Sequence, residues 1–179
     1  MAQIRRMDCQ IEVKSSADKF FDAFKTKAHL MPKMSSQLVS DIKLLEGDWT
    51  SVGSVRLWYY SANNKCWGDG KVKVKPIGIA RFEVGVKLDS LNTFETAKEL
   101  RESVDEENRT IVYKLLEGEI GNSYKNWRSI LSVTPMGEGS LVKWTFEYEK
   151  LNDDVPEPVK YCDFHTTWSK DVDAYLLNS

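Results

Sequence analysis

The chain of 179 residues has the length of one domain and is long enough to enclose a sizeable core. A hydrophobic share of 41%, a charged share of 29% and a net charge of −2 are those of an ordinary globular protein. They exclude a global field that would draw the chain to nucleic acid or to an anionic membrane. Met1 to Arg6 carries no apolar run of signal-peptide type, and no stretch approaches a membrane span. The three cysteines, Cys9, Cys66 and Cys162, are odd in number and lack CxxC spacing, which points to free thiols in a reducing compartment. A cytoplasmic location is expected. With only His29 and His165 as histidines, no metal site is expected.

Met7, Cys9, Ile11 and Val13 alternate with polar residues and predict a half-buried first strand. Ser15, three positions before Asp18, resembles a capping box, and Ala17, Phe20, Phe21, Phe24 and Ala28 give the following helix one apolar face. Leu30 and Met31 close a short second helix at Pro32. Strand-like segments follow. In Val39–Glu46 and 53–60, Arg56, Trp58 and Tyr60 oppose Val55, Leu57 and Tyr59. In 110–119, Ile111, Tyr113 and Leu115 share a face; in 124–134, Trp127, Leu131 and Val133 do. In 139–151 the inward set is Val142, Trp144, Phe146 and Tyr148. Such one-sided alternation with short Gly-bearing links describes an antiparallel meander.

After the polar loop Asp153–Pro158, the residues Tyr161, Phe164, Trp168, Val172, Tyr175 and Leu176 recur at helical spacing. A curved sheet and a long helix with an apolar stripe must cover one another, which gives an α+β fold with the helix gripped by the sheet. Twenty aromatic residues fill a core or line a cavity whose polar ring atoms still find partners.

Several stretches carry a family resemblance. They include Ile11-Glu12-Val13-Lys14-Ser15 with Ala17-Asp18-Lys19-Phe20-Phe21, and Glu46-Gly47-Asp48-Trp49 with Val52-Gly53-Ser54-Val55. Ala97-Lys98-Glu99, Val104-Asp105-Glu106-Glu107-Asn108 and Gly139-Ser140-Leu141-Val142-Lys143-Trp144 continue it, and Asp171-Val172-Asp173-Ala174-Tyr175-Leu176 closes it. With these the chain resembles the plant major latex protein branch of the Bet v I-like, pathogenesis-related class 10 family. The resemblance implies a helix-grip, START-type α+β fold: a seven-stranded antiparallel curved sheet around a long C-terminal helix, with two short helices. It further implies a large internal cavity, an apolar small molecule of sterol, flavonoid, hormone or lipid type as partner, a link to plant defence or stress, and a monomer without cofactor. Together with the alternation above, it makes Phe24, Trp58, Tyr60, Tyr113, Leu115, Trp127, Trp144, Phe146, Phe164 and Trp168 the expected cavity lining.

The turn around Glu46, Gly47, Asp48 and Gly53 stands where the family has its glycine-rich loop. It lacks GxxxxGK[ST], and its two acidic groups repel phosphate, so it reads as a structural turn. The ribonuclease activity of some relatives matches Arg56, Asp173 and Tyr175 here, with no match for a fourth group. No catalytic residue is expected. Cavity chemistry of the kind found in other relatives needs a buried titratable group, for which His165 and Glu117 are the candidates, each more simply structural. The other alternative is a ligand-gated interaction module, which needs a mobile gate loop. One domain spans residues 1–179, with an atypical insertion at about 75–96: between Tyr60 and Ala97 the chain exceeds the family pattern by roughly twenty-five residues, and the added segment reads as an extra hairpin, a mobile surface loop or a stretch normally spliced out.

Overall fold

The computed structural model describes residues 3–62 and 94–179. Cys66 lies outside the described residues, and so does the expected insertion apart from its end, where Glu95 and Thr96 already open a strand.

Seven strands form one antiparallel sheet: β1 (Arg5–Val13), β2 (Val39–Glu46), β3 (Val55–Tyr60), β4 (Glu95–Asp105), β5 (Thr110–Gly118), β6 (Tyr124–Met136) and β7 (Gly139–Lys150). Their spatial order is β1-β7-β6-β5-β4-β3-β2, so β2 to β7 make a meander and β1 closes onto β7. The helices are α1 (Ala17–Thr26), the single turn α2 (Met31–Met34) and the 19-residue α3 (Val159–Leu177). At 1.5 Å per residue α3 is roughly 28 Å long, enough to lie along the whole concave face. This is the fold the alternation and the family resemblance predict. No helix among the described residues is long and apolar enough to cross a membrane.

One local reading is corrected. Ser16, not Ser15, caps α1: its hydroxyl accepts from Lys19 N at 3.4 Å. Ser15 instead turns to α3, where its N–H and hydroxyl both donate to Asp173. In β6, strict alternation would put Tyr124 and Trp127 on opposite faces, yet both are buried. A bulge between Lys125 and Arg128, with Asn126 at φ 51°, shifts the register by one residue and brings both rings inward.

The inward faces meet α3 in one aromatic core. Trp168 packs edge-on against Phe24 at 5.0 Å and Trp58 at 5.4 Å, and lies parallel to Trp144 at 5.9 Å. These are the offset and T-shaped geometries that ring quadrupoles favour. Both ends of α3 are tethered by polar contacts. Lys160 and Tyr161 at its start donate to Glu95, and Asp171 and Asp173 near its end accept from Ser35 and Ser15.

Candidate functional site

The gap between the sheet and α3 is a cavity of about 50 Å³. Trp58 and Tyr60 from β3, Ala97 and Glu99 from β4, Tyr113 and Leu115 from β5, and Trp127 and Ser129 from β6 line it, with Tyr161, Phe164, His165 and Trp168 from α3. An adjoining cavity of about 20 Å³ shares Trp58, Glu99, Tyr113, Ser129, His165 and Trp168, and adds Phe24 and Trp144. Nine of the ten expected residues thus border one of the two spaces. Phe146 borders neither: its ring lies behind Trp127 at 5.1 Å and His165 at 4.9 Å. Among the described residues these two spaces are much smaller than the large cavity expected. The aromatic rings pack on one another and leave room for a few waters, since one water occupies roughly 10–15 Å³ on this measure.

Glu99 is the residue that sequence reasoning missed. It follows Ala97 on the inward face of β4, faces the cavity, and accepts from Trp58 Nε1 at 2.6 Å. Its second carboxyl oxygen has no hydrogen-bond partner among the described residues. Burial pushes its pKa up to about 7, and the positive charges of Arg56 and Arg101 and the Trp58 hydrogen bond keep it from rising further. Glu117, the carboxylate proposed from sequence, points to solvent and pairs with Lys98 at 3.0 Å. A surface pair of that kind is weak.

His165 does face the cavity. Its Nδ1 lies 2.7 Å from the Tyr161 carbonyl, which can only accept, so Nδ1 carries the proton and Nε2 is a free lone pair. Burial pushes the His165 pKa down to about 4, so the ring is neutral at physiological pH. The cavity tryptophans differ in their N–H groups. Trp58 donates to Glu99, Trp127 to Ser129 and Trp144 to Ser169. The Nε1 of Trp168 is buried without a partner.

Two fully buried arginines flank Glu99. Arg56 stands opposite it on β3, and Arg101 is two residues further along β4 on the same face. Arg101 donates to the carbonyls of Phe24, Lys25 and Thr50, each at 2.9 Å. It thereby satisfies orphan carbonyls at the end of α1 and holds the glycine-rich loop. Arg56 donates to the Trp49 carbonyl at 2.8 Å, pinning the same loop. Within the loop, Asp48 accepts from Thr50 N and Ser51 N at 2.7 and 2.8 Å and from both side-chain hydroxyls, which hold its carboxyl well below the usual range. Gly47 and Gly53 take φ of 75° and 86°, which only glycine adopts freely. The loop spends the Thr50 and Ser51 N–H groups on Asp48 and the Gly53 N–H on the Arg101 carbonyl, so none of these three is left for a phosphate. Glu46 ends β2 opposite Val55. The three residues matched to a ribonuclease hold separate structural bonds: Arg56 to Trp49, Asp173 to Ser15, and Tyr175 under the Lys33 ammonium at 5.8 Å.

Chemically, the site is an aromatic box whose polar groups are the Glu99 carboxyl, the His165 lone pair, the Trp168 N–H, the Ser129 hydroxyl and the phenols of Tyr60, Tyr113 and Tyr161, of which Tyr60 and Tyr161 donate to Glu95. The model of the Pathogenesis-related protein Bet v 1 family matches residues 2–74 and 87–179. MLP-like protein 31 of Arabidopsis thaliana is 33% identical over 175 residues, covering 97% of this chain and 86% of that protein. MLP-like protein 34 of the same plant is 34% identical over 173 residues and 96% of this chain, which spans only 46% of that longer relative. The crystal structure of major latex-like protein 151 from Panax ginseng superimposes with a TM-score of 0.79 at 28% identity, over 97% of this chain and 98% of the other. Norcoclaurine synthase from Thalictrum flavum superimposes at 0.66 with 16% identity over 99% of this chain and 88% of the synthase, and shares the fold alone. With its sheet order, its gripped helix and a family match over nearly all its length, the chain belongs to the Pathogenesis-related protein Bet v 1 family.

Proposed function

We propose that the protein binds an apolar small molecule between the sheet and α3 and serves as its store or carrier in the plant cytoplasm, in defence or stress responses. The observation that carries this reading is the aromatic cavity at the junction of β3, β4, β5 and α3 in a chain of this family. The rings offer a large apolar surface, and each Å² withdrawn from water contributes about 25 cal/mol. A ligand larger than these two spaces enters by displacing rings.

Two other readings have less support. Acid–base catalysis in the cavity would use Glu99 and the neutral His165, but no hydrogen bond joins the two among the described residues. A gated module needs a mobile loop, and the glycine-rich loop is pinned by two buried arginines.

Mass spectrometry of protein purified from plant tissue under native conditions tests the reading. It is expected to show a bound apolar compound that denaturation releases. Native protein free of any small molecule, together with no stabilisation by a library of apolar plant compounds, would overturn it.

A further inference from the structure

Two cysteines meet where β1 packs on α3. Cys9 lies midway along β1 and Cys162 at the start of α3, 153 positions apart in the chain. The Cys9 thiol donates to the Cys162 carbonyl at 3.8 Å, and the two thiols interact directly across the seam. Both are free and half-buried, so a small oxidant reaches them. Both stand apart from the cavity lining. We propose that Cys9 and Cys162 form a redox latch: a peroxide joins them as a disulfide that fixes the start of α3 to β1, and a thiol reductant opens it.

The chemistry needs a peroxide and no further group. The Cys162 thiolate attacks one peroxide oxygen; an S–O bond forms as the O–O bond breaks, and the departing hydroxide takes up the thiol proton and leaves as water. The Cys9 sulfur then attacks the sulfur of that sulfenic acid. An S–S bond forms as the S–O bond breaks, and the Cys9 proton leaves with the hydroxide as a second water. The two sulfurs together give two electrons to the peroxide. Cys162 is the readier thiolate, because its sulfur accepts from the Cys9 thiol, which offsets part of its burial. Burial still pushes both thiols up, and the carboxylates of Asp8 and Asp163 add to this. The pair therefore stays reduced against brief or weak oxidant and closes under sustained exposure.

A link across 153 positions removes much of the freedom of the unfolded chain. In the folded chain it ties the helix that carries Phe164, His165 and Trp168 to an edge strand of the sheet. The gap between sheet and helix then widens less readily, so a bound molecule leaves more slowly. This consequence, unlike the bond itself, rests on the cavity being the binding site.

The test treats the whole protein with hydrogen peroxide or with dithiothreitol, followed by peptide mass mapping, thermal melting and the release of N-phenyl-1-naphthylamine. The wild type and Cys66→Ser are expected to give a Cys9–Cys162 linked peptide that dithiothreitol separates. Their oxidised forms are expected to melt at least about 5 °C higher and to release the probe at least about threefold more slowly than the reduced ones. Cys9→Ser and Cys162→Ser are each expected to lose both shifts. Added oxygen on either cysteine without a link, or a link to Cys66 instead, overturns the latch. A Cys9–Cys162 link with unchanged probe release overturns its effect on exchange. If the reduced protein binds no probe, the cavity reading fails, while the linked peptide and the melting shift still decide the bond.

Discussion

Arg101→Met is expected to lower the unfolding free energy by about 3–5 kcal/mol, the range for removing one partner from a buried charged network. Methionine fills much of the same space, so the loss is one of polar contacts rather than volume. Three carbonyls at the end of α1 and in the glycine-rich loop lose their donor, and the Phe24 carbonyl among them is buried. Glu99 loses one of the two positive charges that offset its burial. Arg101→Lys keeps the charge but replaces a planar fork with a single ammonium, so it recovers only part of the loss. Chemical denaturation of the three proteins at one pH measures this. An Arg101→Met protein within about 1 kcal/mol of the wild type would show that the three bonds are incidental.

The second large effect is a pair of opposed pH dependences. Glu99 keeps its proton in the folded state up to about 7, against an ordinary 4.5. Between those values the folded chain holds more protons than the unfolded one, so Glu99 alone makes stability fall as pH rises from 4.5 to about 7. His165 takes up its proton in the folded state only near 4, against an ordinary 6.5. Between those values the unfolded chain holds more protons, so His165 alone makes stability rise with pH across the same region. Each contribution amounts to about 3 kcal/mol at full extent, and in the wild type they largely cancel between 4.5 and 6.5. Glu99→Gln is expected to unmask a rise in stability from about pH 4 to 6.5, and His165→Asn a fall from 4.5 to about 7. Urea titrations across that range check both slopes. Parallel profiles for the wild type and both variants would mean that neither group is perturbed.

The strands and α3 are legible in the sequence because their inward faces are apolar at period two or 3.6. Trp58, Tyr113, Trp127, Trp144, Phe164 and Trp168 all border the cavities as the periodicity and the family resemblance imply. β4 was legible only in part. Its inward positions are Glu95, Ala97, Glu99 and Arg101, so its buried face is polar and the hydrophobic alternation that marks the other strands is absent. The available signal was charge: an alternating Glu-Ala-Glu-Arg face next to Arg56 on a strand otherwise rich in aromatics. The cavity volume was not legible either. Alternation shows which rings point inward, and only their mutual packing decides how much space they leave. The Asn126 bulge escaped for a similar reason, since a register shift has no periodic signature of its own.

The central claim is that an apolar ligand occupies the space between the sheet and α3. Titration with the neutral fluorophore N-phenyl-1-naphthylamine tests it most directly when the wild type is compared with Ala97→Leu. Ala97 is buried on the cavity wall, and leucine there fills the space with added methyl groups without a new charge or polar atom. The wild type is expected to bind the probe with enhanced fluorescence, and Ala97→Leu to lose at least about tenfold in affinity while its melting temperature stays near that of the wild type. Equal probe affinity in the two folded proteins would contradict the claim.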